Sequence, residues 1–194
     1  MSDAIRPALT QKIVDSLQAP VPRLTRRDVH VPRIPGKAVA VIGMRRTGKT
    51  SFLWQLLQDR LDAGVERSRL LHVSFEDDRL AGMTVEHLNF FLEEYYRLHP
   101  EWRSERRPTF FLDEIQTVPG WEAFARRILD SEHIELFLSG SSARLLSREV
   151  ATSMRGRALE ALVHPFSFRE YLRHLGREPA APVERLTKTE RSFL

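Results

Sequence analysis

Five short apolar segments alternate with longer amphipathic segments along this chain. The apolar segments are rich in aliphatic, β-branched or aromatic residues, which is typical of buried strands in a parallel sheet. They cover residues 38–42, 69–75, 109–114, 134–139 and 159–163. Apolar positions at helical spacing predict helices near residues 6–17, 51–61, 85–98, 121–129 and 166–175. The alternation predicts an α/β fold, with a mainly parallel five-stranded sheet between two helical layers.

The loop after the first strand has the sequence GMRRTGKT over residues 43–50. It matches G-x-x-x-x-G-K-[ST], the Walker A loop of P-loop NTPases, in the strand–loop–helix context that the motif requires. Glycines let the backbone curl around an anion with its N–H groups inward, and the helix N-terminus adds its positive dipole end. An ordinary glycine-containing turn is the alternative, which this context disfavours. The predicted phosphate-binding residues are Gly43, Met44, Arg45, Arg46, Thr47, Gly48, Lys49, Thr50 and Ser51.

The chemistry of this loop assigns roles to two of its side chains. Lys49 can reach the β- and γ-phosphates of a nucleotide, and the Thr50 hydroxyl can bind Mg²⁺. A matching signal ends the third strand, where residues 109–114 read TFFLDE. This is the Walker B pattern, in which Asp113 would hold Mg²⁺ and Glu114 would activate the attacking water. A strand-end acid pair without a catalytic role is the alternative.

Further candidates follow the fourth predicted strand. A small polar residue at its end would contact the γ-phosphate or the attacking water; we choose Ser141, with Ser139 as the second choice, while an N-cap role for the next helix stays open. Arg148, Arg155 and Arg157 precede the fifth strand, where an arginine finger would act on a neighbouring subunit. Solvated surface arginines are the simpler alternative.

Composition narrows the class of protein. The chain has 194 residues, of which 42% are hydrophobic and 29% charged, as expected of one globular domain. No apolar run is long enough to cross a membrane, no signal-peptide pattern is present and cysteine is absent, so we expect a cytoplasmic protein. The net charge of +4 allows a nucleic-acid partner but does not indicate one, because its arginines are spread over the whole chain.

Several stretches together resemble the prokaryotic ATP-binding proteins whose AAA-type domain usually precedes a DUF4143 C-terminal region. They are residues 41–50, 111–116, 119–122, 138–142, 154–157 and 165–172. The last stretch is the most specific to that family, and the resemblance covers about residues 24–175. It implies an AAA+-like core with sheet order 5-1-4-3-2, and ATP and Mg²⁺ as ligands.

The resemblance also bears on domain organisation and function. We divide the chain into an N-terminal helix and lead-in (residues 1–36), an ATPase core (37–175) and a tail expected to be flexible (176–194). Members of the family continue into a lid and a further domain, so the resemblance implies a truncated product or a fragment. The expected function is Mg²⁺-dependent ATP binding and hydrolysis by a chain that is monomeric in solution, with self-association through an arginine finger left open as an alternative. The alternatives are a nucleotide-gated switch or scaffold with little turnover, and a DNA-associated module.

Overall fold

A parallel five-stranded sheet forms the centre of the fold. The computed structural model describes residues 4–32, 34–103, 107–140, 152 and 154–179. In these residues the strands are β1 Ala38–Ile42, β2 Leu70–Ser74, β3 Thr109–Asp113, β4 Glu135–Ser139 and β5 Ala158–Leu162. Their order across the sheet is β2-β3-β4-β1-β5, and every neighbouring pair is parallel. The expected order 5-1-4-3-2 is therefore confirmed.

Helices cover both faces of this sheet. The described helices are α1 Ile5–Gln18, α2 Lys49–Asp62, α3 Val85–Leu98, α4 Trp121–Ser131 and α5 Phe168–His174. Short 3-10 turns add Arg67–Arg69, Asp78–Leu80, Pro100–Arg103 and Ile115–Thr117. None of the helices in the described ranges combines the length and the apolarity that a membrane crossing requires.

Alternation along the strands divides the core into two layers. Phe110 packs with α1, α3 and α4 on one face, whereas the next residue, Phe111, packs with α2 on the other. Successive strand side chains point to opposite faces, so each strand supplies both layers. Phe110 makes edge contacts with Phe91 and Tyr95, at 5.9 and 4.9 Å between ring centroids, while Phe111 stacks on Phe137 at 5.1 Å. The predicted α/β/α arrangement is confirmed.

Helix α1 covers the outer edge of β2. The Ser16 hydroxyl accepts a 3.0 Å hydrogen bond from the His72 amide and donates one of 2.5 Å to the His72 carbonyl. It thus satisfies main-chain groups that an edge strand would otherwise expose for pairing. Leu9 and Ile13 of the same helix are fully buried against the core.

One segment differs from its sequence-based prediction. The charge of residues 101–108 predicts a surface loop, but the turn Pro100–Arg103 buries Trp102 to 9% exposure. Three other predictions, namely Ser141, Arg148 and the tail from residue 180 onward, lie outside the described residues.

Candidate nucleotide-binding site

The loop between β1 and α2 is tightly wound, and it depends on its two glycines. Gly48 has a φ of 90°, and the preceding Arg46 also has a left-handed φ, of 65°. At Gly43, a Cβ would overlap the carbonyl oxygen of Val163 and lie 2.9 Å from the Thr47 hydroxyl oxygen. Alternating left- and right-handed residues turn successive N–H groups to the same side, which makes a concave anion-binding surface.

Lys49 is the cation at the centre of this loop. Its side-chain ammonium donates to the carbonyl oxygens of Gly43 and Met44, at 3.3 and 3.0 Å, and the residue is only 5% exposed. No carboxylate of the described residues lies within ion-pair distance of it. The loop therefore holds a buried positive charge without a bound counter-charge from the protein, as phosphate binding requires.

Asp113, at the end of β3, connects this loop to the neighbouring strand. Its Oδ2 accepts a 2.7 Å hydrogen bond from the Thr50 hydroxyl, and its Oδ1 accepts one from the Ser139 hydroxyl. Burial raises the pKa of Asp113; the two hydroxyl donors act in the opposite direction. A hydroxyl and a carboxylate in direct contact are hard oxygen ligands, so the residues present fit Mg²⁺ shared with nucleotide phosphates.

Glu114 follows Asp113 in a strained backbone conformation. Its φ is 56°, in the left-handed region that a residue with a side chain rarely adopts. Its amide donates a 3.4 Å hydrogen bond to the Ser139 hydroxyl, and its carboxylate accepts one of 2.6 Å from the Gln116 side-chain amide. Such strain persists where surrounding contacts enforce it, and it is concentrated at functional sites.

The structure thus brings most of the predicted residues to one edge of the sheet. Ser139, the second choice for the polar residue after β4, contacts both Asp113 and the Glu114 amide. Within the phosphate-binding loop, Thr47 is buried and the intervening residues Met44, Arg45 and Arg46 are exposed. Thr50 and Ser51, in the first turn of α2, are exposed as well.

The predicted finger residues lie elsewhere. Arg155 is exposed in the turn before β5. Strand β5 runs parallel to β1, with Ala38 opposite Ala158. The turn before β5 therefore lies at the amino ends of these strands, whereas the phosphate-binding loop follows the carboxyl end of β1. Arg157 forms an ion pair with Asp130. Arg155 is therefore placed away from the loop of its own chain.

A pocket of about 330 Å³ adjoins the phosphate-binding loop. The lead-in before β1 forms one wall, and the segment after β5 forms another. Its lining residues are Arg23, Leu24, Thr25, Arg27, Arg46, Thr47, Gly48, Ser51, Pro165, Phe166 and His174. Two of these residues are in direct contact: the Thr25 hydroxyl oxygen and His174 Nδ1 lie 2.8 Å apart. The volume of the pocket is at the lower end of the range that is usual for small-molecule sites.

The sequence analysis did not single out Arg27 and Glu170, which form a buried ion pair at the wall of this pocket. Arg27 Nε donates to Glu170 Oε1 at 2.9 Å, and the two side chains are 3% and 6% exposed. A signal for Glu170 is present in the sequence: Ser167 and Glu170 have the S-x-x-E spacing of a capping box, which the structure forms at the start of α5.

Many arginines of the described residues have acidic partners. Nine arginines of the described residues lie within ion-pair distance of Asp or Glu. They are Arg26, Arg27, Arg60, Arg79, Arg97, Arg103, Arg157, Arg169 and Arg173. Apart from Arg27 and Arg60, which are buried, this pairing agrees with the interpretation of the arginines as ion-paired and solvated surface residues.

The sheet order, the glycine loop and the acidic strand end together define an AAA-type P-loop domain. A family model described as AAA domain (AAA_14) matches residues 35–172. The chain belongs to this family, which makes it a nucleotide-binding, ATPase-type domain.

Two curated relatives and one solved structure are similar to this chain. An uncharacterized protein of Methanocaldococcus jannaschii is 35% identical over 162 residues, 83% of this chain and 34% of the relative. One from Haemophilus influenzae is 31% identical over 132 residues, 68% of this chain and 32% of the relative. The chain thus spans about a third of the length of these relatives. Among solved structures, C. elegans PCH-2 matches with a TM-score of 0.45 and 12% identity, covering 95% of this chain and 50% of that one.

Proposed function

We propose that this domain binds ATP with Mg²⁺ and hydrolyses it to ADP and phosphate. One observation carries the proposal: the hydrogen bond between Thr50 and Asp113 joins the phosphate-binding loop to the acidic end of β3. Lys49 lies in the same loop, and Glu114 follows Asp113 directly. The residues proposed for phosphate binding, metal binding and water activation therefore lie together at the carboxyl ends of β1 and β3.

The binding roles follow from the contacts. Lys49 exchanges its two loop carbonyls for phosphate oxygens, while inward N–H groups of residues 43–50 hold the same phosphates. Thr50 and Asp113 hold Mg²⁺, which when bound would neutralise charge that develops on the transferring phosphoryl group. The base and sugar occupy the pocket beside the loop, where Phe166 and Leu24 offer apolar surface. The preference for ATP over GTP follows the family resemblance.

The catalytic roles fall on the residues around Glu114. Its carboxylate accepts a proton from the attacking water, and the Gln116 amide 2.6 Å away restricts its orientation. The Ser139 hydroxyl contacts both the Asp113 carboxylate and the Glu114 amide, and so fixes their relative positions. Ser141, two residues further along the chain, is proposed to contact the γ-phosphate or the water.

Arg155 is proposed to act on the nucleotide of a second copy of the chain. It lies at the amino end of β5, away from the phosphate-binding loop of its own chain, which follows the carboxyl end of β1. A guanidinium from a neighbour would stabilise the charge on the transferring phosphoryl group. Turnover would then depend on self-association.

A nucleotide-dependent switch with little turnover is the second candidate. The hydrogen bond from Gln116 favours it, because a carboxylate engaged by an amide is a weaker acceptor for the proton of water. The two candidates share the binding site and differ in the rate of hydrolysis.

Calorimetric titration with ATP and Mg²⁺, together with phosphate release under single-turnover conditions, tests the proposal. We expect saturable binding that requires Mg²⁺, followed by release of one phosphate per bound nucleotide. Binding without phosphate release would favour the switch, and absence of binding would contradict both candidates.

A further inference from the structure

We propose that Arg27 is a positioning residue: it fixes the Thr47–Gly48 peptide of the phosphate-binding loop in its anion-binding orientation and, through Glu170, ties that loop to helix α5. The inference rests on the proposed function in one respect, namely that the anion is the phosphate of a nucleotide. It adds a link between nucleotide binding and residues 164–174, a segment that contributes no proposed catalytic group.

The contacts of Arg27 reach three separate parts of the chain. Nη1 donates to the Thr47 carbonyl at 2.7 Å, Nη2 to the His164 carbonyl at 2.6 Å and Nε to the Glu170 carboxylate at 2.9 Å. The backbone of Arg27 is fixed as well, because its amide and carbonyl both pair with the Gln55 side chain of α2. The guanidinium therefore has little freedom to turn away from the loop.

The contact with Thr47 sets the direction of the next amide. A peptide bond is planar, and in this trans peptide the Thr47 carbonyl and the Gly48 N–H point in opposite directions. With the carbonyl held by Arg27, the Gly48 N–H points away from the guanidinium. Among the described residues this N–H has no hydrogen-bond acceptor, which leaves it available to an anion.

The close approach also explains a requirement at position 48. A Cβ built on Gly48 would lie 3.2 Å from Arg27 Nη1, and the φ of 90° is unfavourable for any other residue. Glycine at this position therefore allows both the left-handed backbone turn and the close approach of the Arg27 guanidinium.

Glu170 completes the connection on the side of α5. Its Oε1 also accepts from the Asp28 amide at 2.8 Å, and its Oε2 accepts from the Ser167 amide at 2.7 Å. Burial alone would raise its pKa, but these amide donors and Arg27 lower the pKa to about 2, so the group is charged at neutral pH. The Arg27 guanidinium further packs over the Phe166 ring, 4.8 Å from its centroid. The lead-in, the phosphate-binding loop and residues 164–170 are thus held by one side chain.

Two sites connected in this way influence each other reciprocally. If the pair orients the loop amide, loss of the α5 contact weakens nucleotide binding, and bound nucleotide in turn stabilises the docking of α5. A buried pair with a purely structural role would lower stability without this selective effect on affinity.

The chain offers a matched control in Arg60. This residue is also a buried arginine of the α2 layer, with two hydrogen bonds to Glu135 and one to the Leu56 carbonyl. It also packs over aromatic rings, those of Phe111 and Phe137. Arg60→Met therefore removes a comparable set of contacts that does not involve the phosphate-binding loop.

The first experiment is calorimetric titration of the 194-residue chain with ATP and Mg²⁺. We expect Arg27→Met to weaken affinity about tenfold or more, because a phosphate donor loses its orientation. Arg60→Met should bind like the parent. The double variant Arg27→Met/Glu170→Gln keeps the net charge of the parent, so it should remain weakened if orientation matters. Parental affinity in Arg27→Met or in the double variant, or an equal loss in Arg60→Met, would overturn the proposal.

A second readout needs no nucleotide and separates this inference from the proposed function. In amide hydrogen exchange of the free chain, Arg27→Met should raise exchange in peptides covering both residues 43–49 and residues 164–174. Arg60→Met should raise neither. A rise confined to one of the two segments would overturn the link even if ATP binds normally, and the paired rise would support it even if ATP does not bind.

Discussion

The hydroxyl of Thr50 donates a 2.7 Å hydrogen bond to Oδ2 of Asp113. The first residue belongs to the N-terminal turn of α2 and the second to the end of β3, 63 positions further along the chain. The Ser139 hydroxyl holds the other carboxylate oxygen of Asp113. The two proposed metal ligands are thus already in contact in the fold, so binding of the proposed Mg²⁺ would require only a local exchange of hydrogen-bond partners.

Lys49→Ala should lose most of the affinity for nucleotide while leaving the fold intact. Among the described residues, the Lys49 ammonium donates only to carbonyls of its own loop, so its removal deletes a phosphate donor without opening the core. A loss of about tenfold or more is expected for a charge-assisted contact to phosphate. Calorimetric titration with ATP and Mg²⁺ measures it, with Lys37→Ala as the control. Equal affinity in Lys49→Ala and the parent would refute the assignment.

Asp113→Asn should change the metal dependence of binding. The substitution keeps the shape of the side chain and removes the charge that would hold Mg²⁺. The Mg²⁺ concentration needed for half-maximal ATP binding should rise by about tenfold or more. Asp130→Asn, which removes an exposed carboxylate paired with Arg157, is the control. An unchanged Mg²⁺ requirement in Asp113→Asn would place the metal ligand elsewhere.

The buried imidazole of His72 should make stability fall in mild acid. Burial, helped by the charges of Arg67 and Lys12, lowers the pKa of His72 to about 4, from 6.5 in the unfolded chain. Between these values the unfolded chain binds the extra proton. The free energy of unfolding should therefore decrease as the pH falls from about 6.5 toward 4, by up to about 1.4 kcal/mol per pH unit.

Urea denaturation at pH 7 and pH 5 checks this dependence before most carboxylates titrate. His72→Phe keeps an aromatic ring stacked on Trp54 and should flatten the dependence. His133→Gln, at an exposed position, should not. If His72→Phe loses as much stability as the parent over this range, the effect belongs to another group.

The proposed role of Arg155 predicts that turnover depends on protein concentration. If the guanidinium acts on a neighbour, specific activity should rise with concentration, in parallel with association measured by sedimentation. Arg155→Ala should then reduce the stimulated rate by a factor on the order of 10³ without changing ATP affinity. Arg126→Ala, an exposed arginine of α4, is the control. Constant specific activity in a monomeric sample would exclude action between subunits.

Local patterns were sufficient to predict much of this fold. Strand β1 has the predicted bounds; β3 and β4 differ from prediction by one residue at one end, and β2 and β5 by one residue at each end. Each strand lies within a short, mostly apolar segment of the sequence, so its approximate limits follow from local sequence. The phosphate-binding loop and the acidic end of β3 are equally local, because their chemistry depends on consecutive residues.

Such local patterns could not predict contacts between residues that are far apart in the sequence. Arg27 and Glu170 are 143 positions apart, and nothing in the sequence separates Arg27 from its neighbours Arg23 and Arg26. Only the fold decides which of these arginines is buried. Trp102 is a similar case: it is a single aromatic residue in a charged stretch, and its burial depends on the surface that the core presents to it.

The measurement that tests the central claim most directly is single-turnover hydrolysis by the parent and by Glu114→Gln. The substitution keeps the size of the side chain and removes the proposed base. ATP binding should be retained, and the rate of phosphate release should fall by about a hundredfold or more. Glu93→Gln, which replaces an exposed carboxylate of α3, should hydrolyse ATP like the parent. Hydrolysis by Glu114→Gln at the parental rate would contradict the account.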